Sequence, residues 1–313
     1  RYYRLERGTS EDRLVPDVRS GLGILRSSRS SSRPRPTILR GDVRARARER
    51  EVLIITKANS IATVHRATYL DYLAVKTFGP RGEVSGEHRF LGLWTSTAYH
   101  SSPREIPVLR RKVEQVISHF GLDQASHDAK AVPNVLETYP RDELFQARVD
   151  ELIRIVRGVV NLYARRTVRL LARRDPYNRF YSCLIYVPRD RYNTEVRQRI
   201  EQIVKEGFEG SHLETQVQIP DSNHARLHIV VRTDPESRHK ADLAGIESRI
   251  ANAATTWADH LRAVLIAGGD EAKALELSSR YKRAFPLAYQ DDVDPADALE
   301  DLADLEVLRA DPK

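Results

Sequence analysis

The side chains whose types and spacing could support chemistry are few, and the densest group is Arg189-Asp190-Arg191-Tyr192-Asn193. Its guanidiniums match a carboxylate and Asp190 matches an ammonium, so the run could hold an amino acid, assisted by free backbone N–H groups where a helix begins. A neighbouring subunit could meet the same groups. A solvated or interface loop with internal ion pairs is the plainer reading and stands ahead of both.

Other groups point less clearly to chemistry. His224 and His228 have the look of a ligand pair, but four residues along a strand span roughly 13 Å, too far for one metal ion. Cys183, the single cysteine, lies inside an apolar run with no Lys or His beside it in sequence, so packing is expected rather than reactivity. Asn59, Ser60, Thr63, His65 and Arg66 form a polar cluster that reads first as a hydrogen-bonded loop. Asp142 and Glu143 could be paired carboxylates, yet at a helix start they more simply favour its dipole. Gly21-Leu22-Gly23 does not continue into a dinucleotide-binding fingerprint.

The elements that must position these groups can be read from periodicity. Phe180 to Val187 is aromatic and β-branched, as suits a strand covered on both faces, and Pro188 should end it. Asn193 can cap a helix whose Val196, Ile200, Ile203 and Val204 share one face, with Gly207 as a stop signal. Leu213 to Ile219 and Leu227 to Val231 alternate as two strands, with a turn at Pro220 to Asn223. Leu243 to Val264 follows as one long helix. With a further strand at Thr167 to Ala172, the order is ferredoxin-like: two helices cover one face of an antiparallel sheet, and the other face needs a partner.

Upstream, Val52 to Thr56, Tyr69 to Phe78 and His88 to Thr95 should form a small antiparallel sheet, the last two joined through Gly79-Pro80-Arg81-Gly82. Ile106 to Phe120 has helical spacing with Gly121 as its end, and after a turn-rich connector Pro140 opens another helix reaching Val160. Both the sheet unit and the ferredoxin-like unit are α+β.

Composition sets the outer limits. The chain has 313 residues, 41% of them hydrophobic, enough for two or three domains. No apolar run approaches the roughly 20 residues that span a bilayer, and the single cysteine fits a reducing cytoplasm. Net charge is +7, but residues 1–50 hold 14 Arg against 6 acids, leaving the remainder close to neutral. Ser27 to Arg50, rich in Arg, Ser and Pro, reads as a solvated linker. Gln290 to Lys313 carries nine acids against two bases and reads as a helical connector. The start at Arg1, without an initiator methionine, fits a fragment of a longer chain.

Several stretches resemble the N-terminal regulatory portion of the large bacterial NAD-specific glutamate dehydrogenases: TKANSIATVHRATYLDYLAVK (Thr56 to Lys76), GEHRFLGLWTSTAY (Gly86 to Tyr99), ETYPRDELFQ (Glu137 to Gln146), RRDPYNRFYSCLIYVPRDRYNTEVR (Arg173 to Arg197) and ARLHIVVR (Ala225 to Arg232). The resemblance implies a PAS-like antiparallel sheet unit over 1–125 with its basic linker at 27–50, and a connector and helix over 126–166. An ACT-like unit over 167–268 and a helical acidic connector over 269–313 follow. It also implies a parent enzyme that oxidatively deaminates L-glutamate with NAD and assembles as a large homo-oligomer. No catalytic lysine motif or nicotinamide-binding βαβ unit of that family is found in these residues. The expectation is therefore a non-catalytic regulatory and assembly fragment with no cofactor of its own. Its partners would be its catalytic domain, other subunits and an amino-acid effector, without nucleic acid or membrane. The alternative is a ferredoxin-like RNA-binding module with a basic N-terminal arm. Such modules carry aromatics on the open faces of two central strands, and Leu213 to Ile219 and Leu227 to Val231 have none.

Overall fold

The computed structural model describes residues 1–26, 35–121, 127–162, 166–219, 223–237, 239–281 and 284–310. The chain is α+β, with two antiparallel sheets and helices packed on and between them.

The first sheet has six strands: β1 (Tyr2–Arg7), β2 (Asp12–Pro16), β3 (Thr37–Leu39), β4 (Leu53–Ile61), β5 (Tyr69–Phe78) and β6 (Val84–Gly92), in the order β3-β2-β1-β6-β5-β4. The β5–β6 hairpin closes at the Gly-Pro-Arg-Gly turn, where Gly82 takes a positive φ of 74° and its N–H bonds Gly79 O at 2.9 Å. The sheet is larger than the hairpin-based unit expected from sequence, because the N-terminal segment pairs into it.

The basic segment at 27–50 is not a linker over its described part. It supplies β3 and helix α1 (Gly41–Arg48). The reason is electrostatic as well as apolar: Arg48 clasps the fully buried Asp12 at 2.6 and 2.7 Å, Arg44 reaches it at 3.1 Å, and Leu39 and Ala47 bury against Tyr3, Leu5 and Leu14. Arginines that read as solvated charge in the sequence are docked onto an acid contributed by β2. Residues 27–34 lie outside the described residues.

Helices α2 (Ser96–His100) and α3 (Pro107–Phe120) follow, the latter with Pro107 in its first turn and Gly121 in the left-handed region after its end. The supposed turn-rich connector then forms a helix, α4 (His127–Thr138), with Pro133 inside it, and the single helix expected after Pro140 is two: α5 (Arg141–Gln146) and α6 (Val149–Leu162). Lys112 explains the break, since its ammonium binds the carbonyls of Leu144, Phe145 and Ala147 at 3.3, 2.6 and 2.8 Å, which a continuous helix would use internally.

The second sheet comprises β7 (Arg169–Arg174), β8 (Phe180–Pro188), β9 (His212–Gln218) and β10 (His224–Arg232), in the order β7-β8-β10-β9. Helix α7 (Thr194–Gly207) joins β8 to β9, Asn193 caps it at 2.8 Å to the Val196 N–H, and α8 (Leu243–Ala253) follows β10. This is the ferredoxin-like arrangement with β7, from upstream, filling the edge beside β8. Gly207 ends α7 as its last residue, with Phe208 as the cap. The long helix expected from Leu243 to Val264 is broken, because Thr256 forms a capping box with Asp259 and opens a new helix, α9 (Trp257–Ala267). Helix α9 packs through Leu261 with α10 (Glu271–Tyr281) and α12 (Ala298–Ala310), while the short α11 (Leu287–Asp292) lies between the last two in sequence.

Two cores share the second sheet. Cys183, Ile185, Val187, Leu227, Ile229 and Val231 face α7 and α8. Leu184 and Tyr186 face the opposite way and join the cluster built by α3, α4, α5 and α6. The face for which the sequence predicts a partner is thus covered under β8 by the chain's own helices, and β8 is buried along almost its whole length. Each fully buried leucine or isoleucine contributes about 1.5–3 kcal/mol relative to exposure, so both contacts are substantial. Gly158 of α6 marks how close the helix lies to β7, since a Cβ there would meet the Leu171 side chain at 2.9 Å.

Candidate functional site

Strand alternation delivers a polar patch to a defined place. Residues two apart on a strand share a face, so on β10 Arg226, His228 and Arg232 project opposite to the apolar Leu227, Ile229 and Val231. The β9–β10 register sets Gln218 beside Arg226, Gln216 beside His228 and Glu214 beside Val230. That face is therefore apolar under β8 and polar under β9 and β10. The polar half meets the first sheet, where the Arg232 guanidinium sits 3.6 Å from the centre of the Tyr69 ring.

Between this polar half, the turn preceding β5 and the start of α5 lies a cleft of about 670 Å³. Three arginines line it, one from each side: Arg66 before β5, Arg141 at the start of α5 and Arg226 on β10. Arg66 donates to Tyr99 Oη at 3.0 Å and lies over that ring; Tyr99 in turn donates to Asp142 at 2.8 Å. Asp142 also pairs with Lys57 at 3.2 Å, and Lys57 with Asp71 at 2.6 Å. Burial raises the Asp71 pKa despite the neighbouring Lys57 ammonium.

Several donors in this region are not spent on protein. Arg141 uses Nη2 on Ser101 O at 3.1 Å, while its buried Nε and Nη1 have no hydrogen-bond partner among the described residues; the same holds for the Tyr139 hydroxyl. Arg226 commits Nη2 to Thr138 O at 2.8 Å and to the Gln218 amide oxygen. A buried donor left unsatisfied costs about 1–3 kcal/mol, so two such side chains lining one cleft mark a place that favours an acceptor.

Beneath the cleft is a satisfied ionic network. Arg173 of β7 forks onto Glu143 of α5 with both bonds at 2.9 Å, and His228 Nε2 lies 3.0 Å from Ser182 Oγ and 3.9 Å from Glu143. Burial works to raise the Glu143 pKa, but Arg173 overrides it and holds the carboxyl below its ordinary range. Burial lowers the pKa of His228, which favours the neutral ring. Asp142 and Glu143, read from sequence as helix-dipole partners, are ion-pair anchors as well: Glu143 ties α5 to the second sheet and Asp142 ties it to the first.

The residues singled out from sequence have mixed positions. Arg189, Asp190 and Arg191 form a single 3-10 turn after β8; Arg191 pairs with Asp259 at 3.0 Å and Asn193 is spent on its cap. None of Arg189, Asp190, Arg191, Tyr192 or Asn193 lines the cleft. Of the Asn59 to Arg66 cluster, Arg66 does. His224 Nε2 meets Thr167 O at 3.2 Å, so it and His228 each bond elsewhere, and no group of three or more His, Cys, Asp or Glu among the described residues could hold a metal ion. Cys183 is fully buried, and burial pushes its thiol pKa up. The RNA-binding alternative is not supported: the open half of the sheet carries no aromatic on β9 or β10 and faces the first sheet.

Three stretches match models of glutamate dehydrogenase regions: residues 106–165 match helical motif 1, residues 169–258 the ACT2 domain and residues 264–308 helical motif 2. The chain is 36% identical over 293 residues to the NAD-specific glutamate dehydrogenase of Pseudomonas aeruginosa, covering 94% of this chain and 18% of that protein. It belongs to the bacterial NAD-specific glutamate dehydrogenase family. The enzyme of the same name from Halomonas elongata is 36% identical over 252 residues, 80% of this chain and 16% of its own, and that from Mycobacterium tuberculosis 33% over 296 residues, 91% and 17%. The chain thus spans less than a fifth of the length of these relatives.

The cleft is composite. Tyr139, Arg141 and Asp142 fall in the helical motif 1 match, Gln216, Gln218, Arg226 and His228 in the ACT2 match, and Arg66 and Tyr99 precede both. Sequence reasoning missed Tyr99, Tyr139, Arg141 and Arg226 as site residues. The available signal was the polar alternation of β9 and β10, which marks a face that is not apolar core.

Proposed function

We propose that this chain is a non-catalytic regulatory and assembly portion of an NAD-specific glutamate dehydrogenase. The parent enzyme would oxidise L-glutamate to 2-oxoglutarate and ammonium in the cytoplasm as a homo-oligomer. The observation that carries the reading is the alignment of 94% of the chain to 18% of a relative of that name, through ACT2 and helical-motif regions. In this reading residues 1–125 act as a PAS-like unit and 167–268 as the ACT-like sensing unit. Residues 126–166 and 269–313 are the helical connectors through which a bound effector is felt. The cofactor NAD belongs to the parent's catalytic domain. The turn at Arg189, Asp190 and Tyr192 is a contact for an effector or a neighbouring subunit, its Arg191 and Asn193 being already engaged within the chain.

The test is NADH formation from L-glutamate. The 313-residue chain alone should give none, and the full-length protein should turn over. Removing residues 1–313 should alter either oligomer size or the response of turnover to amino acids. Turnover by the chain alone, or a truncated enzyme identical to the parent in assembly and regulation, would refute the proposal.

A further inference from the structure

We infer that the cleft between the two sheets binds a small carboxylate anion, held by Arg141 and Arg226 with Arg66 closing from the first sheet. The inference deepens the regulatory reading above and rests on it only for its consequence, not for the binding itself.

Charge is the first argument. Three guanidiniums line the cleft against two carboxylates, Glu137 and Asp142. Asp142 is already met by Lys57 at 3.2 Å and by the Tyr99 hydroxyl at 2.8 Å, and Glu137 accepts from Ser102 Oγ at 3.1 Å. His228 favours its neutral form through burial. The lining therefore keeps a positive surplus.

Donor geometry is the second. Guanidinium forks recognise planar two-oxygen anions bidentately, and Arg141 holds Nε and Nη1 buried in the cleft wall without a protein acceptor among the described residues, so an anion seated against that wall would supply the acceptors they lack. Tyr139, on the same wall, has a buried hydroxyl that is likewise unpartnered among the described residues. Gln216 and Gln218, which present amides, suit a ligand with a polar body. With three guanidiniums in the lining, a dicarboxylate is the best match within the class.

Placement is the third. The three arginines come from the first sheet, the helical connector and the second sheet, so one ligand would tie three parts of the chain together. A compound favouring that joined arrangement shifts the chain toward it by its differential affinity.

Isothermal calorimetry on the 313-residue chain tests this, with L-aspartate, L-glutamate, succinate and inorganic phosphate as separate probes. A carboxylate should bind saturably, and Arg141→Gln and Arg226→Gln should each weaken it about tenfold or more, while Arg262→Ala, on the exposed face of α9, leaves it unchanged. Should Arg226→Gln fail by circular dichroism, Arg141→Gln carries the test alone, since its Nε and Nη1 hold no other group. Binding by phosphate only, no saturable binding, full affinity in folded Arg141→Gln, or loss confined to Arg262→Ala would each overturn the inference. Intact binding without any effect on turnover of the full-length enzyme would sink the regulatory reading and leave the site standing.

Discussion

Replacing Glu143 by leucine, Arg173 by methionine, and then both, probes what joins the helical connector to the second sheet. Both residues are 2% exposed and share two bonds of 2.9 Å. Removing one partner strands the other charge in a dry environment, which costs about 3–5 kcal/mol, whereas replacing both by apolar groups of similar volume is often close to neutral. Urea unfolding followed by Trp94 is a local readout, because its ring stacks on Phe145 of the same helix at 4.3 Å. A Trp257→Phe background removes the second tryptophan, which lies in the C-terminal helical cluster. With a denaturant slope of about 2 kcal/mol per molar, each single change should lower the midpoint by about 1.5–2.5 M, and the double change by far less than the sum. Acid should show the same pair. The Glu143 pKa is held below its reference 4.5, so its stabilisation is complete above that value and is lost as pH falls through the folded-state pKa. The gap between wild type and the single Glu143 variant should narrow accordingly. Single shifts below about 0.5 M, or strictly additive ones, would refute the account of a buried, mutually dependent pair.

The Lys112 ammonium has its pKa pushed down to about 8 by burial, from a reference of 10.5. The folded state holds that proton less tightly than the unfolded chain, so stability should rise as pH climbs from about 8 toward 10.5, and the wild-type minus Lys112→Met difference in unfolding free energy should show it. An unchanged difference across that window would count against the assignment. Asp12→Asn removes the anion that Arg44 and Arg48 share, so limited trypsin digestion should cut within Gly41–Arg48 several times faster while the second sheet stays protected; equal cutting rates would mean that apolar packing alone holds α1.

Sequence by itself determined the second sheet and the placing of helices α7 and α8 on one of its faces. The unbroken apolar run of β8, the alternation of β9 and β10 and the Asn193 cap are local signals, each set by residues within one element. The same locality made the matches to relatives recognisable without coordinates. Where the sequence reading failed, the deciding partner was distant in the chain. Arginines at 44 and 48 became a docked helix because Asp12 lies buried on β2, and the helix after Pro140 broke because Lys112 claims its carbonyls. The Arg189 to Asn193 loop drew attention because its charges are adjacent in sequence. The cleft was not legible in this way. Its three arginines stand at 66, 141 and 226, on three separate parts of the chain, and only the packing of those parts brings their charges together.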